Sequence, residues 1–364
     1  MGLVIGLVLL AYDQVSDENS SSTLLTVEDV NLVYTHETTD NNYFDYETPD
    51  QNQPDTNITY NYQTLTNISF KSKKRAQGPK DVNLIYTIDS NNFVLTATFY
   101  KGENDYLAGL DRQIWIYDYE PNPTSRDFIM KILDEQTQKE FMQPLVNYLN
   151  DLNMPNYKKV RVAVSLVQHI PYDWNGFTQD TITGKHPYEV LYTNTGVCSE
   201  KSRLLVYLLR ELGYGMALFD FNAENHEAVG IKCPTQYSFR NSGYCFIEST
   251  TPSIITDSNK EYVAAGKLIS NPEIVITNYG ESFDEVSEDY RDAQNYSLWD
   301  KEVLGTNMNA LENDYSKWIN LRKKYGFEES SCDTGFTLCN GSCWVACTSG
   351  KWVCNSGQLP FCFN

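Results

Sequence analysis

Basic charge, histidine and long apolar runs are all scarce in this chain, and each shortage excludes something. The 364 residues carry 28 Lys and Arg against 48 Asp and Glu, a formal net charge of −20. No basic stripe exists to release counterions from a phosphate backbone, which argues against a nucleic-acid partner. The one locally basic stretch, Lys71-Ser72-Lys73-Lys74-Arg75, reads as a solvated loop between strands. An acidic surface of this kind signals solubility and weak affinity for anionic membranes, and it identifies no substrate. Gly-rich phosphate loops, internal repeats and an EF-hand arrangement of the acids are also missing. Histidine occurs only four times, at His36, His169, His186 and His226, so any imidazole chemistry must come from one of these.

The apolar N-terminal stretch 1–12 is too short for a bilayer span, which takes roughly 20 residues. It has no basic residue ahead of it, the first Lys or Arg being Lys71. The polar, acidic and Ser-rich stretch 13–22 follows, so the start of the chain fits a signal or anchor segment with a flexible linker. A buried strand is the alternative. Sequons at Asn19, Asn57, Asn67, Asn295 and Asn340 agree with export, although so short a pattern often arises by chance.

Nine cysteines give a stronger compartment signal. Six lie in the last 33 residues, at Cys332, Cys339, Cys343, Cys347, Cys354 and Cys362. A segment that small cannot fold on its own core and needs staples. Three disulfides are expected; zinc is the alternative, weakened by the lack of a nearby His and of C-x2-C spacing.

The remaining three cysteines cluster in the middle of the chain. Cys198 stands in Thr195-Gly196-Val197-Cys198-Ser199-Glu200-Lys201, just ahead of an amphipathic run with Leu204, Leu205, Leu208, Leu209 and Leu212 at helical spacing and a stop at Gly213. A thiol at a helix N-terminus meets free backbone N–H groups and the positive end of the dipole, both of which favour the nucleophilic thiolate. Two strand-like runs follow, one opening with His226 and one containing Glu248. Folding the connection around Asn241-Ser242-Gly243 brings His226 opposite Glu248 on one face of a sheet. Nucleophile, base and orienting acid then occur in chain order. Strand alternation points Cys233 and Cys245 away from that face, where they can pair with each other and leave Cys198 unpaired.

The Cys198 string, the Leu-rich helix ending Leu212-Gly213-Tyr214, the His226 strand and Phe246-Ile247-Glu248-Ser249-Thr250-Thr251-Pro252 resemble the transglutaminase-like superfamily over roughly residues 155 to 256. The resemblance implies a papain-like α+β core, with Cys198 as nucleophile, His226 as general base and acid, and Glu248 as the group that orients the imidazole. Two departures stand out: the acid is most often Asp in that superfamily, and Ala228 stands where many members carry Trp. The run 160–172 resembles the microbial branch and implies Gln168 or Trp174 as a donor to an oxyanion hole beside the Cys198 amide. The other three histidines read as surface or satisfied-core residues.

The expected architecture is α+β: an anchor or signal remnant and linker over 1–23, a β-sandwich-like domain over 24–120, a papain-like/transglutaminase-like catalytic domain with leading helices over 121–256, an acidic mixed and helical extension over 257–330, and a cysteine-rich module over 331–364. In the first of these domains, strands are expected at 32–35, 58–62, 67–71, 83–88, 93–100 and 113–117. A helix is expected from about Arg126, others through Leu152 and from Tyr157 to His169, and one over 307–325. The functional expectation is an extracytoplasmic thiol enzyme that cleaves or transfers amide or peptide bonds in a protein, peptide or cell-envelope polymer, with no cofactor and no metal. A non-catalytic surface-binding protein that keeps the fold is the competing class.

Overall fold

The computed structural model describes residues 60–65, 73–116, 121–178, 184–262, 265–305, 312–327, 336–339, 342–345, 351–353 and 361–363. The stretch 1–23, His36, the sequons at Asn19, Asn57, Asn67 and Asn340, the strands expected at 32–35 and 67–71, and the pairing of the six C-terminal cysteines fall outside what is described. The described chain is mixed α+β, with its strands in several sheets.

A hairpin of β2 (Pro79–Ile88) and β3 (Asn91–Tyr100) comes early, with β1 (Tyr60–Thr64) added parallel to β3. The hairpin turns on Asp89 and Ser90, both left-handed at φ 50 and φ 65. Two consecutive positive φ values give the two-residue turn whose twist suits antiparallel strands, and Asp tolerates that region better than most residues. Leu84, Tyr86 and Leu95 alternate onto one face, where they join a core shared with the helices that follow. Where the sequence suggests a self-contained β-sandwich over 24–120, the described residues form this one sheet and then α1 (Lys101–Ala108). Of the strand expected at 113–117, the described part is irregular, as are all of residues 111–116. The Asp111 carboxylate explains why: it accepts from the Gln113 amide and the Trp115 indole, a local turn that competes with ladder pairing.

Five helices lead toward Cys198. α2 (Ser125–Leu133) starts at Thr124, whose amide donates to the Asp127 carboxylate at 2.8 Å, a reciprocal cap of the kind that marks a helix start. α3 (Gln136–Asp151) and α4 (Asn156–Gln168) follow, the latter buried along most of its length and packed on β2. α5 (Trp174–Thr178) and α6 (Pro187–Thr193) are short. α7 (Cys198–Glu211) then crosses the core with Leu204, Leu205, Leu208 and Leu209 fully buried. Each such Leu contributes about 1.5–3 kcal/mol relative to exposure. Its end is set by Gly213 at φ +95: the Gly213 amide donates to Arg210 O and the Tyr214 amide to Leu209 O, closing the last turn as a Schellman motif.

The second sheet runs in the order β6 (Tyr244–Ile247), β5 (His226–Lys232), β4 (Met216–Phe221) and β9 (Glu273–Asn278), antiparallel throughout. α7 packs on β4 and β5. Val229, Ile231, Cys245 and Ile247 belong to the main core, whereas Ala228, Tyr244 and Phe246 belong to a smaller aromatic cluster on the other side. A two-residue ladder of β7 (Glu261–Tyr262) and β8 (Gly266–Lys267) contributes Tyr262 to that second cluster. α8 (Ser287–Gly305) and α9 (Glu312–Lys324) follow; α9 lies within the helix expected at 307–325, of which 307–311 fall outside the described residues. The C-terminal stretch holds two antiparallel pairs, β10 (Phe336–Cys339) with β11 (Ser342–Val345) and β12 (Lys351–Val353) with β13 (Phe361–Phe363). Among the described residues, no helix is long and apolar enough to cross a membrane.

Candidate functional site

Cys198 is the first residue of α7, half-buried, and the free cysteine among the described residues. The loop before it is pinned in two ways. Glu200 reaches back to accept from the Val197 amide at 3.0 Å, and Gly196 bridges the segment around Tyr172, with Gly196 N donating to Pro171 O and Asp173 N to Gly196 O. Cys198 therefore presents its amide and its thiol from a fixed helix start, where the first-turn N–H groups have no intrahelical acceptor.

His226 opens β5 and is 3 % exposed; Glu248 follows β6 and is fully buried. The His226 Nε2 and Glu248 Oε2 are 2.9 Å apart. Val229 pairs with Ile247, so one further step of the register sets Ala228 across from Glu248, with His226 on the diagonal two residues away. Direct opposition of His226 and Glu248, expected from the hairpin, is thus replaced by a diagonal contact. The imidazole also stacks on Tyr262, with ring centroids 6.0 Å apart and planes within 11°. The other carboxylate oxygen, Oε1, accepts from the Thr250 amide at 2.7 Å and the Thr250 hydroxyl at 2.6 Å. Both oxygens of the acid are satisfied, as a buried carboxylate requires.

Electrostatics hold this pair charged. Burial alone lowers the proton affinity of His226, but the Glu248 charge and the Cys198 thiol beside the ring outweigh it and raise the imidazole to about 10. Burial pulls Glu248 the opposite way, and His226 with Thr250 more than compensates, leaving the carboxyl below its ordinary value. Because Nε2 is engaged by Glu248, Nδ1 is the ring nitrogen left for the thiol.

Gln168 and Trp174 occupy different settings. The Gln168 side-chain amide donates to Glu248 O at 2.8 Å and to Ser253 O at 3.1 Å, so both of its hydrogens are already committed to backbone carbonyls. It braces the acid strand from behind, and the expected part in an oxyanion hole does not fit those bonds. Trp174 lies in the segment that bridges Gly196, its ring 4.7 Å from that of Tyr172.

Two neighbours of the thiol carried no role in the sequence reading. Tyr172 is buried at 8 % exposure, with its hydroxyl against the Cys198 amide and thiol but completing a hydrogen bond to neither. Lys201, one turn into α7, is fully buried and donates to Gln168 O at 3.2 Å, Ile170 O at 2.5 Å and Thr250 O at 2.9 Å. Burial lowers this ammonium to about 7, with the Glu248 charge opposing the drop. A signal for Lys201 existed in the sequence. It lies three and four residues before Leu204 and Leu205, on the apolar stripe of α7, where a Lys must find buried acceptors.

The other two described histidines, His169 and His186, are structural in their surroundings. His186 Nδ1 lies 2.8 Å from a Glu189 oxygen at the start of α6. His169 Nδ1 meets the Ser165 carbonyl at 2.7 Å, and burial lowers its proton affinity. Cys233 and Cys245 form a disulfide on the core side of the sheet, away from His226, as strand alternation indicated. A solvent-open pocket of about 360 Å³ is lined by Arg161, Gln168 and Tyr325 among others, and Cys198 is not part of its lining. No cluster of metal-ligating side chains occurs among the described residues. Compared with models of known protein families and with curated proteins, the chain has no significant match.

Proposed function

We propose that this chain is an extracytoplasmic thiol enzyme with a transglutaminase-like, papain-like core that acts on amide or peptide bonds through Cys198, His226 and Glu248. The observation that carries the reading is the buried His226–Glu248 contact at 2.9 Å with the Cys198 thiol beside the same ring. Three groups in this order perform one job: the acid fixes the imidazole, and the imidazole holds the proton of the thiol.

The reaction follows from those roles. The Cys198 thiolate attacks the carbonyl carbon, and the C–N bond breaks as His226 gives its proton to the leaving amine. An acyl group is then bonded to sulfur. Water enters, His226 takes one of its protons, the C–S bond breaks, and a carboxylic acid leaves with the thiol restored. Hydrolysis is proposed ahead of cross-linking on the resemblance to microbial, protease-like members of the superfamily. Protein, peptide and cell-envelope polymer are the substrate classes proposed. The Cys233–Cys245 disulfide supports an oxidising compartment.

The test is alkylation by iodoacetamide at neutral pH, read at the Cys198 peptide by mass spectrometry. Cys198 is expected to react faster than a free thiol and to lose that advantage in His226→Ala. Labelling of the folded protein at the rate of glutathione, unchanged by the substitution, would favour a non-catalytic binding protein with the same fold.

A further inference from the structure

The proposed thiol chemistry generates a negative oxygen on the attacked carbonyl, and an enzyme of this kind needs donors aimed at it. The Cys198 amide, in the first turn of α7, is one. Gln168 does not supply the second, because its amide is bonded to Glu248 O and Ser253 O.

Tyr172 has the required properties. Its hydroxyl oxygen is buried and has no hydrogen-bond partner, a state that costs free energy unless something else completes it. Its ring is fixed by Trp174 at 4.7 Å and Phe177 at 6.1 Å. Its backbone is bridged to Gly196, two residues before the nucleophile. The hydroxyl lies against both the amide and the thiol of Cys198, so the two donors stand side by side without bonding to each other. Burial first, and then the charge on Cys198, raise the phenol above its ordinary value, so it keeps the proton it would donate.

We propose that Tyr172 is a catalytic residue whose hydroxyl, together with the Cys198 amide, binds the oxygen of the carbonyl that Cys198 attacks. This rests on the thiol-enzyme reading above and adds a donor to it. The unpaired hydroxyl of the resting enzyme is completed by the substrate, so the interaction strengthens as charge develops on that oxygen.

Two reactions of the same sulfur separate this role from a structural one. Acylation by p-nitrophenyl acetate passes through a tetrahedral oxyanion, whereas alkylation by iodoacetamide displaces iodide at a saturated carbon and forms none. In full-length Tyr172→Phe, acylation of Cys198 is expected to fall by about 100-fold. Alkylation is expected to stay within about twofold and the Tm to be unchanged or higher, since the lost hydroxyl had no partner. Acylation unchanged by the substitution would overturn the proposal, and so would acylation and alkylation falling together, which would make Tyr172 a support for the thiol. Wild-type protein that alkylates no faster than a free thiol overturns the triad reading and this proposal with it. Wild type that alkylates fast while Tyr172→Phe acylates normally removes Tyr172 alone.

Discussion

Glu248 reaches His226 diagonally across two strands, and that relationship accounts for the acid being Glu. Diagonal neighbours in an antiparallel pair are about 7–8 Å apart at Cα, further than directly opposed ones. The additional methylene of Glu covers the difference and still ends 2.9 Å from Nε2. In Glu248→Asp the carboxylate falls short of the ring. We expect the iodoacetamide rate at Cys198 to drop by about 10²-fold or more while the protein stays folded. An Asp variant with the wild-type rate would mean that the diagonal contact does not orient the imidazole.

The His226–Glu248 pair also sets a pH signature. The proton affinity of His226 is raised from 6.5 to about 10 in the folded protein. Its stabilising contribution is therefore complete below about pH 6.5 and disappears as pH rises toward 10. Glu248 is shifted down from 4.5, so its contribution is present above that value and disappears as pH falls. The Tm difference between wild type and the His226→Gln/Glu248→Gln double variant should be largest between about pH 4.5 and 6.5 and shrink on both sides. Lys201, lowered from 10.5 to about 7, acts in the opposite sense and adds stability as pH rises between those values. It is present in both proteins, so the difference largely removes it. A difference that grows from pH 7 to 9 would contradict the charged pair.

Lys201 ties three backbone carbonyls from two separate segments to one ammonium. Lys201→Met fills similar space and leaves all three without their donor. Urea unfolding should show a loss of about 3 kcal/mol or more, given about 1–3 kcal/mol for each buried group left unpaired. Because Thr250 also holds Glu248, the alkylation rate at Cys198 should fall as well. A Met variant as stable as wild type would show that the carbonyls find other donors.

The Cys233–Cys245 bridge spans 12 residues. Closing a loop of that size is worth about 3 kcal/mol through the unfolded chain. Cys233→Ser/Cys245→Ser should lower the unfolding free energy by about that amount while Cys198 alkylation in the remaining folded protein is preserved. A non-reducing peptide map that recovers Cys233 linked to any other cysteine would rule the pairing out.

The parts of the site visible in the sequence are those with a local pattern. Cys198 was placed by helix periodicity and a Gly stop, and His226 with Glu248 by strand alternation. The facing of Cys233 and Cys245 came from counting positions along the same strands. What the sequence hid depends on contacts between distant segments. The resemblance of the run 160–172 implies an oxyanion role for Gln168, but its carbonyl partners on Glu248 and Ser253 lie 80 and 85 residues away. Tyr172 gained its place through a bridge to Gly196 that no periodicity announces. The early strands looked self-contained because alternation shows that one face is buried without showing what buries it.

The hairpin of β2 and β3 reaches further than its position suggests. Its Thr87 amide donates to the Ser165 hydroxyl at 2.8 Å, and Ser165 lies one turn before Gln168, which grips the acid strand. The upstream sheet, α4 and the backbone of Glu248 are therefore joined by successive hydrogen bonds. Under the proposed thiol chemistry, a protease cut or a bound partner that pulls the hairpin away is expected to disturb Glu248 through α4.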